Sequence, residues 1–292
     1  MEIKWTVLPK QERQSLQQVL RQQYGLSRRQ LIRLKQLPEA VMINDMPARL
    51  LQRLMPGDRV EVTLFEHLAQ LPPEPIPLEV IYEDDFLIVI NKPAGLVSHP
   101  TKGYPGGTLA NALSWHWQQR GQQLPARLVT RLDKDTSGLV LAAKTAWCHY
   151  RLSQGRMKKI YYAITRGIPC PLSGGIDLSI GRSPDNPSRR GVSREGKTSL
   201  TLYWTEAIGD NLALVRLQPI SGRTHQLRIH MAHIGCPMLD DYMYGVEEGI
   251  LGRTALHAYE LEFVHPGNRQ RMRLTADLPK EMLDVLNGHF LG

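Results

Sequence analysis

The chain is poor in cysteine and phenylalanine and has no long apolar run, and each scarcity excludes something. Its 292 residues include three cysteines, Cys148, Cys170 and Cys236. They stand far apart, with no C-x-x-C pair, which rules out a disulfide scaffold and a cysteine zinc site. Scattered thiols of this kind suit the reducing cytoplasm. No stretch approaches the roughly 18 consecutive apolar residues of a membrane span. The opening Met1-Glu2-Ile3-Lys4-Trp5 has no apolar signal core, which speaks against secretion by that route. There is no internal repeat. What is present is 42% hydrophobic and 22% charged, ordinary for a soluble globular protein. Against a prior of about 150 residues per domain, the length allows two domains.

The net charge of +8 is unevenly spread. Residues 1–65 hold 11 Lys/Arg against 6 Asp/Glu, so this short end carries +5 of the total. A basic end on a nearly neutral body suggests a docking module for a polyanion, although a solvated basic face would look the same. The segment Pro72-Pro73-Glu74-Pro75-Ile76-Pro77 has four prolines in six residues and reads as a stiff extended linker over 66–78. It separates a first domain, 1–65, from a second, 79–292.

In the first domain Ser15 to Tyr24 reads as one helix and Arg28 to Leu37, capped by Ser27, as another. Arg28, Arg29, Arg33 and Lys35 crowd the second helix. Val41 to Asn44 and Arg59 to Leu64 read as strands on either side of the Pro56-Gly57-Asp58 turn. This order, with the Ser27-Arg28 helix start and the Ile43-Asn44-Asp45 turn, resembles the S4 RNA-binding domain. In the second domain strands dominate: Leu78–Tyr82, Phe86–Asn91, Tyr161–Thr165, Ser199–Thr205, Leu212–Leu217, His257–Phe263 and Arg271–Thr275. Glu83-Asp84-Asp85 reads as a turn rather than a metal site. Helices are few, with Thr108 to Gln119 the clearest. The βα alternation of a doubly wound sheet is missing, so the fold class is α+β with a mixed or antiparallel sheet.

Three segments could carry chemistry. In Arg131-Leu132-Asp133-Lys134-Asp135-Thr136-Ser137-Gly138, ahead of a buried strand, Asp133 and Asp135 could be paired acids and Ser137 a nucleophile, or all could be turn formers. Ser137 lacks the Gly-x-Ser-x-Gly setting. In Pro219 to Gly235, Ser221 or Thr224 can start a helix that Gly235 ends, with Leu227, Met231 and Ile234 buried and His225 and Arg228 projecting together. A metal on His225, His230 and His233 is disfavoured, because there is no His-Glu-x-x-His arrangement and arginines crowd the segment. Lys158-Lys159-Ile160-Tyr161 leads two lysines into a strand. The run 181–197 is rich in Arg, Ser, Pro and Gly. It reads as a basic finger that orders on RNA, or as a plain disordered loop.

Asn91-Lys92-Pro93-Ala94-Gly95-Leu96 with His99-Pro100, then Arg131-Leu132-Asp133-x-x-Thr136-Ser137-Gly138, Lys159-x-Tyr161, Gly196-Lys197 and Gly222-Arg223-Thr224-His225-Gln226-Leu227-Arg228-x-His230 together resemble the RluA-type RNA pseudouridine synthases. The likeness spans 79–275, and with an S4-like domain ahead it points to the large-subunit rRNA branch. Two departures are Thr130, where that family usually has His, and Asp240, where it usually has Gly. The resemblance implies an isomerase that breaks the N1–C1′ bond of uridine, turns the base and joins C5 to C1′. It implies RNA as the partner, with no obligate protein partner, no metal and no cofactor. Asp133 would be the essential carboxylate, attacking C1′ or C6 or taking the C2′ proton. Arg228, within about 4–6 Å, would favour its charged form, and Tyr161 would stack on uracil. A duplexed target must first leave its stack. Arg131 would fill that gap, with Arg223, His225, Arg189, Arg190 and Lys197 as further RNA contacts beside the basic first-domain helix. Other readings are a non-catalytic ribosome-assembly factor, a hydrolase releasing uracil, or a tRNA-directed synthase of the same family. No apolar interface stripe stands out, which suggests a monomer.

Overall fold

A computed structural model describes residues 2–64, 71–183 and 189–290. The N-terminal part forms a four-stranded sheet of β1 (Glu2–Thr6), β2 (Val41–Ile43), β3 (Met46–Pro47) and β4 (Arg59–Thr63), in the order β1-β4-β2-β3. Helices α1 (Leu16–Gln22) and α2 (Arg28–Lys35) pack on it. Both start where the sequence writes a capping box. Ser15 Oγ accepts from Gln18 N–H and Ser27 Oγ from Gln30 N–H, while each glutamine carbonyl accepts from its serine N–H. The helices are three and two residues shorter than expected, and β1 adds to the expected elements. Residues from Ile3 to Leu64 share one apolar core, with Trp147 of the following part packed against it.

The rest of the chain builds β5 (Glu79–Glu83), β6 (Leu87–Lys92), α3 (Leu109–Gln118), β7 (Arg127–Leu128), β8 (Ser137–Ala143), α4 (Ala146–Gln154) and β9 (Lys158–Arg166). It continues through β10 (Ser173–Asp177), β11 (Ile180–Arg182), β12 (Arg190–Val192), β13 (Leu200–Ile208), β14 (Leu212–Pro219), α5 (Gln226–His233), β15 (Leu256–Val264), β16 (Arg271–Thr275) and α6 (Lys280–His289). Ten of these strands form one sheet, ordered β10-β13-β14-β9-β15-β8-β6-β5, with β16 added on β15 and β7 on β8. Among the described residues only β15 and β8 run parallel, so the sheet is mixed and mainly antiparallel, as the strand pattern predicts. β8 is buried along its whole length. Its alternate residues serve two cores: Val140 and Ala142 pack with α3 and Leu132, Leu139 and Leu141 with α4. The two helices therefore cover opposite faces of the sheet.

Residues 65–70 lie outside the described residues. Residues 71–78 of the expected linker form no helix or strand and lie along the N-terminus of α3. Asn111 Nδ2 donates to Pro72 O at 2.9 Å, and the Glu74 carboxylate accepts from Gly107 N–H at 2.9 and 3.1 Å. An extended proline run has no ladder of its own, so its carbonyls are open to side-chain donors. The N-terminal part is likewise anchored, since Trp147 Nε1 on α4 donates to Tyr24 O at 2.5 Å. The acidic Glu83-Asp84-Asp85 is the expected turn, with Asp84 accepting from Phe86 and Leu87 N–H.

At the start of β8, Gly138 sits at φ +110°, and a Cβ there would lie 2.3 Å from Ala258 O of β15. Both the backbone angle and the parallel pairing require glycine. Gly138→Ala is expected to lower unfolding free energy by more than about 3 kcal/mol in urea titrations, since strain and overlap act together. Wild-type stability in that variant would mean that β8 and β15 do not approach this closely.

Candidate active site

The segments singled out in the sequence converge on one cavity of about 620 Å³ at the start of β8. Asp133 follows Leu132, which is packed into the α3 core, and enters β8 through a turn in which Thr136 N–H donates to Asp133 O at 3.3 Å. Its carboxylate is about a third exposed and faces the cavity (32%). The loop behind it is held by Lys92, a fully buried residue whose Nζ donates to Pro93 O and Leu96 O at 2.8 Å and to Lys134 O at 3.0 Å. Ser137 is no nucleophile in this setting. It is buried outside the cavity lining, with its hydroxyl 2.9 Å from His257 Nδ1.

Helix α5 supplies the opposite wall. It begins at Gln226, later than expected, with His225 as its N-cap in the left-handed region at φ 56°. Ser221 does not cap it. Its hydroxyl accepts from Leu200 N–H and donates to Gln226 Oε1. Gly235 follows the helix end at φ 78°, and of the predicted stripe Leu227 and Met231 are buried while Ile234 is half-buried. A non-glycine residue held at positive φ beside a cavity stores backbone strain at a functional position. It aims His225 and Arg228 at Asp133, with His225 Nε2 3.8 Å from Oδ1 and Arg228 Nη1 3.8 Å from Oδ2.

Arg228 is buried, and its charge is matched by Asp241, which accepts from Nε at 2.7 Å and from Nη2 at 2.6 Å. This fork-to-fork geometry leaves Nη1 for Asp133. Burial disfavours the guanidinium's charge, but the Asp241 bonds and the two carboxylates outweigh it and raise its pKa. Tyr244 backs this wall from outside the cavity lining. Its hydroxyl lies 2.9 Å from His225 Nδ1, and its ring is 5.2 Å from the guanidinium carbon. Burial lowers the His225 pKa, Asp133 opposing and Arg228 adding to the effect, so the imidazole is neutral at pH 7. Tyr161 and Lys159, two apart on β9, line the floor. Burial and then the Asp133 charge raise the Tyr161 phenol, which stays protonated, while burial lowers the Lys159 ammonium.

Asp133, Tyr161, Arg228, His225, Arg131 and Arg223 thus meet at one cavity, the last two exposed at its mouth. Arg189 and Arg190 belong to a ribbon, β11 with β12, and residues 184–188 lie outside the described residues. Lys197 bridges back to Ile180 at the ribbon's root. Arg28, Arg29, Arg33 and Lys35 lie on α2, away from the cavity lining. The three histidines do not assemble. His230 is buried against Thr201 and Ser199, and no metal-binding group of His, Cys, Asp or Glu occurs among the described residues. Thr130, in the bend after β7, is tied to β8, its hydroxyl accepting from Leu141 N–H. Asp241, Tyr244 and Lys92 have no role assigned from the sequence, although Lys92 stands in the Asn91-Lys92-Pro93 motif and Asp241 in the doublet Asp240-Asp241.

The family model for RNA pseudouridylate synthase matches residues 86–233. An uncharacterized RNA pseudouridine synthase of Bacillus subtilis is 36% identical over 270 residues, covering 90% of this chain and 95% of that protein. Ribosomal large subunit pseudouridine synthase D of Haemophilus influenzae is 34% identical, covering 96% and 93%. Among solved structures, human RNA pseudouridylate synthase domain containing 4 matches with a TM-score of 0.57 and 27% identity, over 72% of this chain and 92% of that one. The chain belongs to the RNA pseudouridine synthase family, in its RluA-type branch, and is an isomerase acting on RNA.

Lys92 allows a titration test of the loop behind Asp133. Burial, partly offset by Asp135 and Asp133, pushes its pKa from 10.5 to about 7. Below pH 7 both folded and unfolded chains hold this proton and the burial cost is felt in full. From pH 7 toward 10.5 the unfolded chain alone holds it, so stability rises with pH. The stability of wild type relative to Lys92→Met should rise in that window by up to about 1.4 kcal/mol per pH unit. A flat difference in urea titrations would contradict it.

Proposed function

We propose that the protein isomerises uridine in large-subunit rRNA, with Asp133 as the essential carboxylate. The observation that carries this is Asp133 facing the cavity, 3.8 Å from both His225 and the buried, Asp241-locked Arg228. The reaction is a net isomerisation. The N1–C1′ bond breaks, C5 bonds to C1′, C5 gives up its proton and N1 gains one. Asp133 acts at C1′, C6 or the C2′ proton, and each route needs it ionised beside the ribose, where Arg228 favours charge. Tyr161 offers an apolar face for uracil, and its protonated phenol adds no second negative charge beside Asp133. Arg131 and Arg223 at the mouth take the displaced strand and its phosphates.

Residues 2–64 serve as an S4-like docking unit. Arg28, Arg29, Arg33 and Lys35 have no carboxylate partner among the described residues, which leaves their charge for phosphate. This unit sits on α4, on the face of the sheet opposite Leu132 and Tyr161. An RNA that meets both must reach around the sheet, which a large folded rRNA does more readily than a short stem. The names of relatives from Haemophilus influenzae and Neisseria meningitidis favour the same substrate. Cytoplasmic ribosome assembly would supply it, and a monomer suffices.

Two experiments test this. Pseudouridine mapping in cells lacking the gene should show loss at a large-subunit rRNA position. Wild type should restore it and Asp133→Asn should not, although purified Asp133→Asn should bind the RNA within about twofold of wild type and turn over at least ~10²-fold slower. Restoration by Asp133→Asn, or loss confined to tRNA, would overturn the corresponding part. Separately, replacing Arg28, Arg29, Arg33 and Lys35 together by Gln should raise KM and lower the salt slope of binding by up to about 0.7–0.9 per lost phosphate contact, with kcat unchanged. An unaltered slope would show that α2 does not touch phosphate.

A further inference from the structure

We infer that Arg253, locked by Glu281, is a positioning residue for the isomerisation, fixing from behind the loop that carries Asp133. The inference rests on Asp133 being the reacting carboxylate. Residues 133–137 form a polar turn, and such a turn keeps a carboxylate in place only if its backbone is held from outside. Lys92 holds Lys134 O. Arg253 holds the next carbonyl, with Nη1 donating to Asp135 O at 3.2 Å and Nη2 to Ser137 Oγ at 3.3 Å. Nη1 also reaches Thr254 O at 3.0 Å and Leu256 O at 3.4 Å, which ties the turn to the start of β15. The Glu281 carboxylate of α6 takes Nη2 at 2.8 Å and Nε at 3.2 Å and sets the plane of the guanidinium, whose side chain is only 10% exposed.

The donor directions are consistent through the whole network. Ala276 O can only accept, so His257 Nε2, at 3.0 Å from it, carries the hydrogen. His257 Nδ1 then accepts from the Ser137 hydroxyl at 2.9 Å, and the free lone pair of Ser137 Oγ accepts from Arg253. Burial lowers the His257 pKa, in keeping with a neutral ring. None of Arg253, His257, Ser137 or Glu281 lines the cavity. All act through the turn.

The segment that delivers Arg253 also serves the front of the site. Asp240, at φ 53°, accepts backbone N–H bonds from Glu248, Gly249, Leu251 and Gly252 and so shapes the loop ending at Arg253. The next residue, Asp241, grips Arg228. One stretch of chain therefore sets both the partner Asp133 faces and the backbone it stands on. Lysine cannot replace Arg253 fully, because one ammonium cannot meet Asp135 O, Ser137 Oγ and Glu281 in a fixed fork.

The test compares Arg253→Met, Arg253→Lys, Glu281→Gln and Asp133→Asn in the full chain, measuring single-turnover rate, RNA Kd and unfolding midpoint. Rates are taken in the cold, well below every midpoint. Misplacement of a reacting group by about 1 Å costs roughly 10²-fold, so Arg253→Met should slow single turnover by about that factor with Kd within about twofold. Arg253→Lys should recover part of the rate, and Glu281→Gln should lose about three- to tenfold. Glu281 is 46% exposed, so its variant carries the test if Arg253→Met does not fold. Wild-type rates in both Glu281→Gln and Arg253→Met, or parallel losses of binding and rate, would overturn the inference. Normal turnover by Asp133→Asn would instead sink the reading beneath it.

Discussion

A guanidinium taken out of water needs a counter-charge, and much of this site follows from how that need is met for Arg228. Removing either member of such a buried pair costs on the order of 3–5 kcal/mol, so Asp241 is required wherever Arg228 is buried. Because Asp241 occupies Nε and Nη2, the remaining edge of the fork is free for a second carboxylate, and Asp133 stands there. The fold brings these groups together from three separate stretches: the entry to β8, helix α5 and the loop after it. The strained His225 at the start of α5 and the glycine-dependent approach of β8 to β15 serve the same convergence.

The sequence announced its local devices well. Capping boxes at Ser15, Ser27 and Thr108 are written within four residues, and the unbroken apolar run after Ser137 marks a strand covered on both faces. Asp133, Tyr161 and Arg228 were legible for a different reason, because each sits in a motif whose neighbours are also constrained. What escaped was relational. Strand β10 is Ser-Gly-Gly-Ile-Asp and becomes a strand only because β13 offers it an edge. Helix α4 mixes aromatic, basic and small residues with no clear stripe, since one side packs under the sheet and Trp147 faces the N-terminal part. Asp241 and Arg228 lie 13 residues apart across a helix end, a separation no periodicity marks.

The proline segment shows how a correct local reading can mislead about assembly. Its extended backbone was predictable from ring geometry alone. Its role was not, because Asn111 of a later helix and Gly107 just ahead of that helix decide what its carbonyl and the Glu74 carboxylate meet. A segment that looks like a spacer is here a strap.

Trp147 belongs to two apolar clusters, one under β8 with Cys148 and Leu152, the other with Leu16, Val19 and Leu20 of the N-terminal part. A single large side chain shared in this way makes each cluster part of the other's solvent boundary. Loosening the N-terminal part would hydrate Trp147 and so weaken the layer beneath the strand that begins four residues after Asp133. The two units are therefore thermodynamically coupled through one indole, and heat should melt them as one cooperative transition, not as two.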